Sequence, residues 1–228
     1  MLISHGDILL IALTTIGLFQ FFWLSVFLIR KGFNPSLVRL SMVSLLSIWV
    51  LTWPAYDDTT VVLATLFLFV LPVLFALQKN NAFARHLRLG WHDLPPKTKQ
   101  PAPWLMIIIS LFITVELFHT APELGFGLGL SFCLAWSAAE FIDKSRRGVR
   151  LGLTQNLQQT LAGHLTFIML TSFICAWALQ LYHNTHWLQF FVATLIVGLV
   201  GSIIRALIAT GWNMPLSMLG MSITLWLL

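Results

Sequence analysis

Charge is what this sequence has least of. Only 9% of its 228 residues are charged and 58% are hydrophobic, and no water-soluble fold hides that much apolar surface behind so few charges. Acids are scarcer than bases, with 8 Asp and Glu against 13 Lys and Arg. The two cysteines, Cys133 and Cys175, fall inside apolar runs and have no metal-type spacing, which excludes a disulfide framework. A phosphate-cradling glycine loop is missing, as is any serine, histidine and acid set at matching depth, so no soluble-enzyme motif is present.

What fills the chain instead is a series of apolar runs, each near the ~20 residues needed to cross a hydrocarbon core about 30 Å thick. They do not alternate, so they read as helices rather than barrel strands, and the expected fold is an all-α polytopic membrane protein forming one domain, 1–228. Eight spans are expected, at 8–29, 37–54, 60–78, 103–119, 124–142, 159–181, 187–209 and 214–228. The first run is too long for a signal peptide, lacks a basic segment before it, and is expected to stay as an anchor.

The loops carry alternating charge. Arg30, Lys31 and Arg39 follow span one and Asp57 and Asp58 follow span two. Lys79, Arg85, Arg88, Lys97 and Lys99 follow span three, Glu123 span four, and Lys144, Arg146, Arg147 and Arg150 span five. The positive-inside bias then puts both termini outside and the basic loops in the cytoplasm, with a bacterial inner (plasma) membrane as the expected location. The same bias accounts for the net charge of +5 without nucleic acid. The segment 79–102, with Pro95, Pro96 and Pro101, reads as a cytoplasmic surface loop.

Small residues mark helix seams. Gly125, Gly129, Cys133 and Ser137 make one on span five, and Gly198, Gly201 and Ser202 another on span seven, so both spans are expected to be central. Ionisable residues within spans are the default functional candidates. Arg205, near the basic end of span seven, is placed to bind a lipid phosphate, to pair with Glu140 or Asp143, or to snorkel to the headgroups. Glu116 and His119 have the spacing of half a di-iron site without its second half, and His183 and His186 sit in a short outer loop, so no metal is expected. His164 reads as a packed, hydrogen-bonded histidine.

Arg30-Lys31 opens a basic turn before span two, and Ala135-Trp136-Ser137-Ala138-Ala139 runs into the basic loop ending at Gly148. Asn156 to Gly163 enters span six, and Asn213 and Pro215 precede the last span. In this layout the chain resembles the CTP-dependent phytol and dolichol kinases and the related phosphatidate cytidylyltransferases over roughly residues 26–228. The resemblance implies a transferase using Mg2+ and CTP on an isoprenoid or phospholipid at the cytoplasmic face.

Yet Ala138, Asn156, Gln159 and Trp212 are neutral where the family carries charge, and Asn34 or Pro35 replaces its histidine. Only Glu140 and Asp143 remain as catalytic candidates, and a magnesium site with so few carboxylates is expected to be feeble or idle. The expected phosphate or headgroup contacts are Arg30, Lys31, Arg39, Lys144, Arg146, Arg147, Arg150, Arg205 and Asn213. A non-catalytic subunit or scaffold, bound to a partner membrane protein or to its own copies, is the alternative. A small transporter is a third reading, disfavoured by the lack of an inverted repeat.

Overall fold

A computed structural model describes residues 4–76, 81–91, 103–145, 159–183, 186–208 and 212–228. Every regular element among them is helical. The chain runs through α1 (His5–Arg30), α2 (Pro35–Val50), α3 (Thr59–Leu68), α4 (Val70–Ala76), α5 (Ala82–Trp91), α6 (Pro103–Leu117), α7 (Pro122–Ser131), α8 (Ser137–Ser145), α9 (Leu161–Tyr182), α10 (Trp187–Leu207) and α11 (Asn213–Leu227). A wide π-type turn, Phe132–Trp136, joins α7 to α8 as one rod, and a short 3₁₀ turn, Trp53–Ala55, prolongs α2.

The ends of these helices follow local chemistry. Gly32, at φ 87°, closes α1: its own N–H donates to Ile29 and that of Phe33 to Leu28, a Schellman turn that needs the left-handed backbone glycine provides. Asn34 then caps α2, with Pro35 in the first turn where its missing N–H costs nothing. The apolar run expected as one span at 60–78 is broken into α3 and α4. Pro72 has no N–H for the Leu68 carbonyl and its ring crowds that turn, so α3 ends at Leu68. The Trp104 indole N–H donates to the Phe69 carbonyl exposed at the break, 3.2 Å away.

The core is largely hydrophobic, but unlike that of a soluble protein the outer surface is apolar too, while small hydroxyls are buried. Phe19, Trp23, Phe67, Leu188 and Trp226 are exposed, whereas Ser110, Thr114, Ser131, Ser137, Thr171 and Ser172 are buried. Five of those hydroxyls donate to a carbonyl of their own helix, as Ser110 does to Met106 and Ser137 to Cys133, which lets them sit in a dry interior. Between helices, Thr194 donates to the Ser172 carbonyl and Ser172 to that of Thr194. Hydrocarbon outside and hydroxyls inside are what lipid as solvent selects.

Five helices are long and apolar enough to cross a membrane: His5–Arg30, Pro35–Ala55, Pro122–Ser145, Leu161–Tyr182 and Trp187–Leu207. The chain is an integral membrane protein. The helices at the other three expected spans, α3–α4, α6 and α11, are shorter.

The α7–α8 rod is central, 72% buried in its apolar window. Its seam holds: a Cβ on Gly125 would meet Phe118, and one on Gly129 would stand 2.8 Å from the Trp53 ring. The expectation that span seven is equally central needs correcting. It is α9 that lies between α7–α8 and α10, while α10, 33% buried, turns its small-residue face to α9 and α11 and its other faces outward. Segment 79–102 is also more than a loop. Over Ala82–Trp91 it forms α5, whose Ala84 and Leu87 pack inward while Arg85 faces out. That helix lies across α1 and α2.

Candidate functional site

One end of the bundle gathers the bases. The C-terminus of α1, the N-terminus of α2, the C-terminus of α8, the N-terminus of α9 and the C-terminus of α10 meet there, tied by side chains from distant parts of the sequence. At its heart Arg205 Nη2 donates to Asp143 Oδ2 at 2.6 Å, with the arginine only 2% exposed. The other carboxylate oxygen of Asp143 accepts the backbone N–H of Thr160 at 2.7 Å and its hydroxyl at 2.8 Å.

Thr160 is the N-cap of α9, its side chain accepting from Gly163 N, so Asp143 clamps the start of that helix onto the end of α8. The fit leaves no room at Gly163, where an added Cβ would collide with the Asp143 carboxylate.

Arg205 is bracketed by aromatics. Its guanidinium carbon lies 5.3 Å from the Trp136 ring centroid and 5.9 Å from that of Phe167. Trp136 reaches this place at the end of the π-type turn, which re-aims the rod. Nε and Nη1 of Arg205 are buried and meet no hydrogen-bond acceptor among the described residues, and ring faces lie beside the cation instead. Gln159 donates to the Arg205 carbonyl at 3.0 Å, and His164 Nδ1 shares a hydrogen bond with Ser202 Oγ at 2.7 Å. The histidine is buried and hydrogen-bonded, as its sequence position suggests.

Glu140 is spent in a second knot. Arg39 Nη2 lies 2.8 Å from its Oε1 and Lys144 Nζ 3.3 Å from the same oxygen, with Lys144 also on Ser36. Of the three fates expected for Arg205, the structure shows pairing with Asp143. A snorkelling side chain would be exposed at the end of the bundle, and this one is buried.

Arg30 is exposed and makes no hydrogen bond or ion pair among the described residues, and Lys31 lies over the Phe27 ring, 5.6 Å from its centroid. Asn213 opens α11 without a hydrogen bond to either knot. Arg146, Arg147, Arg150 and Asn156 lie outside the described residues.

The sequence reading missed Thr160 and the aromatic bracket. A threonine three residues before a glycine at the head of an apolar run is a cap signal that was there to be read. It also gave α5 no structure, although Phe83, Ala84 and Leu87 recur at helical spacing between Arg85, His86 and Arg88. Arg85 and Arg88 have no ion-pair partner among the described residues. Helix α5 packs on α1 and α2, and its Phe83 and Leu87 line a groove with Leu18, Phe22 and Trp23 of α1.

The opposite end is acidic. Asp7 is buried and accepts the backbone N–H of Asp57 at 3.2 Å, and His183 lies 3.9 Å from Glu123. A cavity of about 330 Å³ opens there between Trp53, Tyr56, Asp58, His119 and Tyr182. The half-site spacing of Glu116 and His119 is used locally, His119 Nδ1 lying 3.0 Å from the Glu116 carbonyl. Among the described residues no three histidines, cysteines or acids are grouped to hold a metal, and both cysteines are buried and free.

Fold and site together define a helical integral membrane protein with one basic and one acidic end. Compared with known proteins, the chain matches no family model, no curated protein and no solved structure.

Proposed function

We propose that this protein holds an anionic lipid, an isoprenoid phosphate or a phospholipid, by its headgroup at the basic end, and does not catalyse magnesium-dependent transfer to it. The observation that carries the reading is an imbalance. Both described carboxylates at that end are consumed by protein cations, Asp143 by Arg205 and Glu140 by Arg39 and Lys144, whereas Arg30, Arg85 and Arg88 meet no carboxylate among the described residues. Outward-facing bases at a membrane surface attract anionic headgroups, at about 1 kcal/mol each. Magnesium surrenders water reluctantly and needs free carboxylates to do so.

In this reading the chain crosses the membrane eight times, the shorter α3–α4, α6 and α11 included, with the N-terminus outside and the basic end in the cytoplasm of a bacterial inner membrane. The charge of the connecting segments supports that topology.

The headgroup contacts begin with Arg30, Lys31, Arg85 and Arg88. Arg205 and Asp143 hold the bundle end together instead. Native mass spectrometry of protein reconstituted in mixed phosphatidylglycerol and phosphatidylcholine nanodiscs tests this. Retention of the anionic lipid, reduced several-fold in Arg85→Gln/Arg88→Gln, is the expected result. Equal retention of the two lipids by the unsubstituted protein would overturn it.

A further inference from the structure

Helix α1 is the most exposed of the five long helices, with 17% of its apolar window buried. Its inner face is Leu18, Phe22, Val26 and Ile29. Directly opposite runs a line with alternating spacings of four and three residues: Leu9, Leu13, Ile16, Gln20, Trp23 and Phe27. The five apolar members are between 41% and 62% exposed, and Trp23 and Phe27 stack on each other with ring centroids 5.5 Å apart. Grooves of about 660 and 420 Å³ flank this ridge, one toward α4 and α5, the other toward α2.

The line is the 3-4 spacing by which two helices wind together, each residue seating between those of its partner. One member does not fit a lipid-facing role. Gln20 is exposed, borders both grooves and makes no hydrogen bond among the described residues. It lies ten residues, about 15 Å, from Arg30 and is therefore deep in the hydrocarbon of a membrane-crossing α1. An amide left unpaired there is costly, and acyl chains offer it no hydrogen bond at that depth.

We infer that α1 is the surface through which two copies of this chain pair in the membrane, with Gln20 of one copy hydrogen-bonded to Gln20 of the other. A second copy answers the chemistry in a way that other occupants do not. All copies thread the bilayer in the same sense, so a symmetric pair brings the two α1 helices together in parallel and sets both amides at one depth. Each amide both donates and accepts, so the pair satisfies itself. A polar residue at one position of an otherwise apolar seam fixes register and partner number.

The test is disulfide cross-linking in membranes. Native Cys133 and Cys175 are buried and do not interfere. Ile16→Cys and Gln20→Cys are expected to give a covalent dimer of this chain on oxidation, while Ile196→Cys, an exposed position in mid-α10, gives little. Adding Gln20→Leu to Ile16→Cys should lower the dimer yield several-fold, and Gln20→Asn should restore part of it. Gln20 is exposed and makes no hydrogen bond among the described residues, so these variants are expected to leave the fold intact. Equal cross-linking at Ile196→Cys, none at positions 16 and 20, cross-linking only to a different protein, or a yield untouched by Gln20→Leu would each overturn the inference.

Discussion

Arg205 shows how one residue can be ionised inside a membrane bundle. Its charge is met by Asp143, its flat faces by Trp136 and Phe167, and its backbone carbonyl by Gln159. Because the pair is sealed, removing either partner strands the other, at a cost of about 3–5 kcal/mol. Asp143→Asn and Arg205→Gln should therefore each lower the unfolding temperature in detergent strongly, and the double variant should recover part of the loss. Strictly additive losses would show that the two side chains do not depend on each other. Gly163→Ala belongs to the same knot: its Cβ would displace the Asp143 carboxylate, so it should mimic Asp143→Asn in thermal unfolding. Gly17→Ala, in open space, should be silent.

The helices explain where sequence reading succeeds and where it fails. A run of apolar residues betrays a span, and the place of a charge within a run gives its depth, so the meeting of Arg205 with Asp143 is legible from the position of each near one end. Pro72 is hidden, because it lies in an unbroken apolar run and only the three-dimensional break shows that it stops α3. Trp104 answers that break, and Trp104→Phe should cost about 1–3 kcal/mol by leaving the Phe69 carbonyl unpaired, read as a fall in unfolding temperature. Helix α5 is masked by the prolines that follow it in the same polar segment. The candidate site is half legible for a related reason. Sequence places Glu140, Arg39 and Lys144 at one end, but cannot say which cations are consumed by carboxylates and which, like Arg85, still face outward.

For the whole molecule, the separation of charge is what the proposed topology and the proposed function rest on. Bases crowd one end, and Asp7, Asp57, Asp58 and Glu123 the other. Single cysteines at Asp57 and His183 should react with an impermeant thiol reagent in whole cells, while one at Arg88 should not. The reverse pattern would invert the membrane orientation. The described carboxylates at the basic end, Asp143 and Glu140, lock helices together, and the proposed function takes them as unable to hold magnesium. The most direct test is a transfer assay with purified protein, magnesium, and CTP or ATP against polyprenols, phytol, diacylglycerol and phosphatidate. No product above a protein-free control is the predicted result; robust turnover that disappears in Glu140→Gln or Asp143→Asn variants that still fold would contradict it.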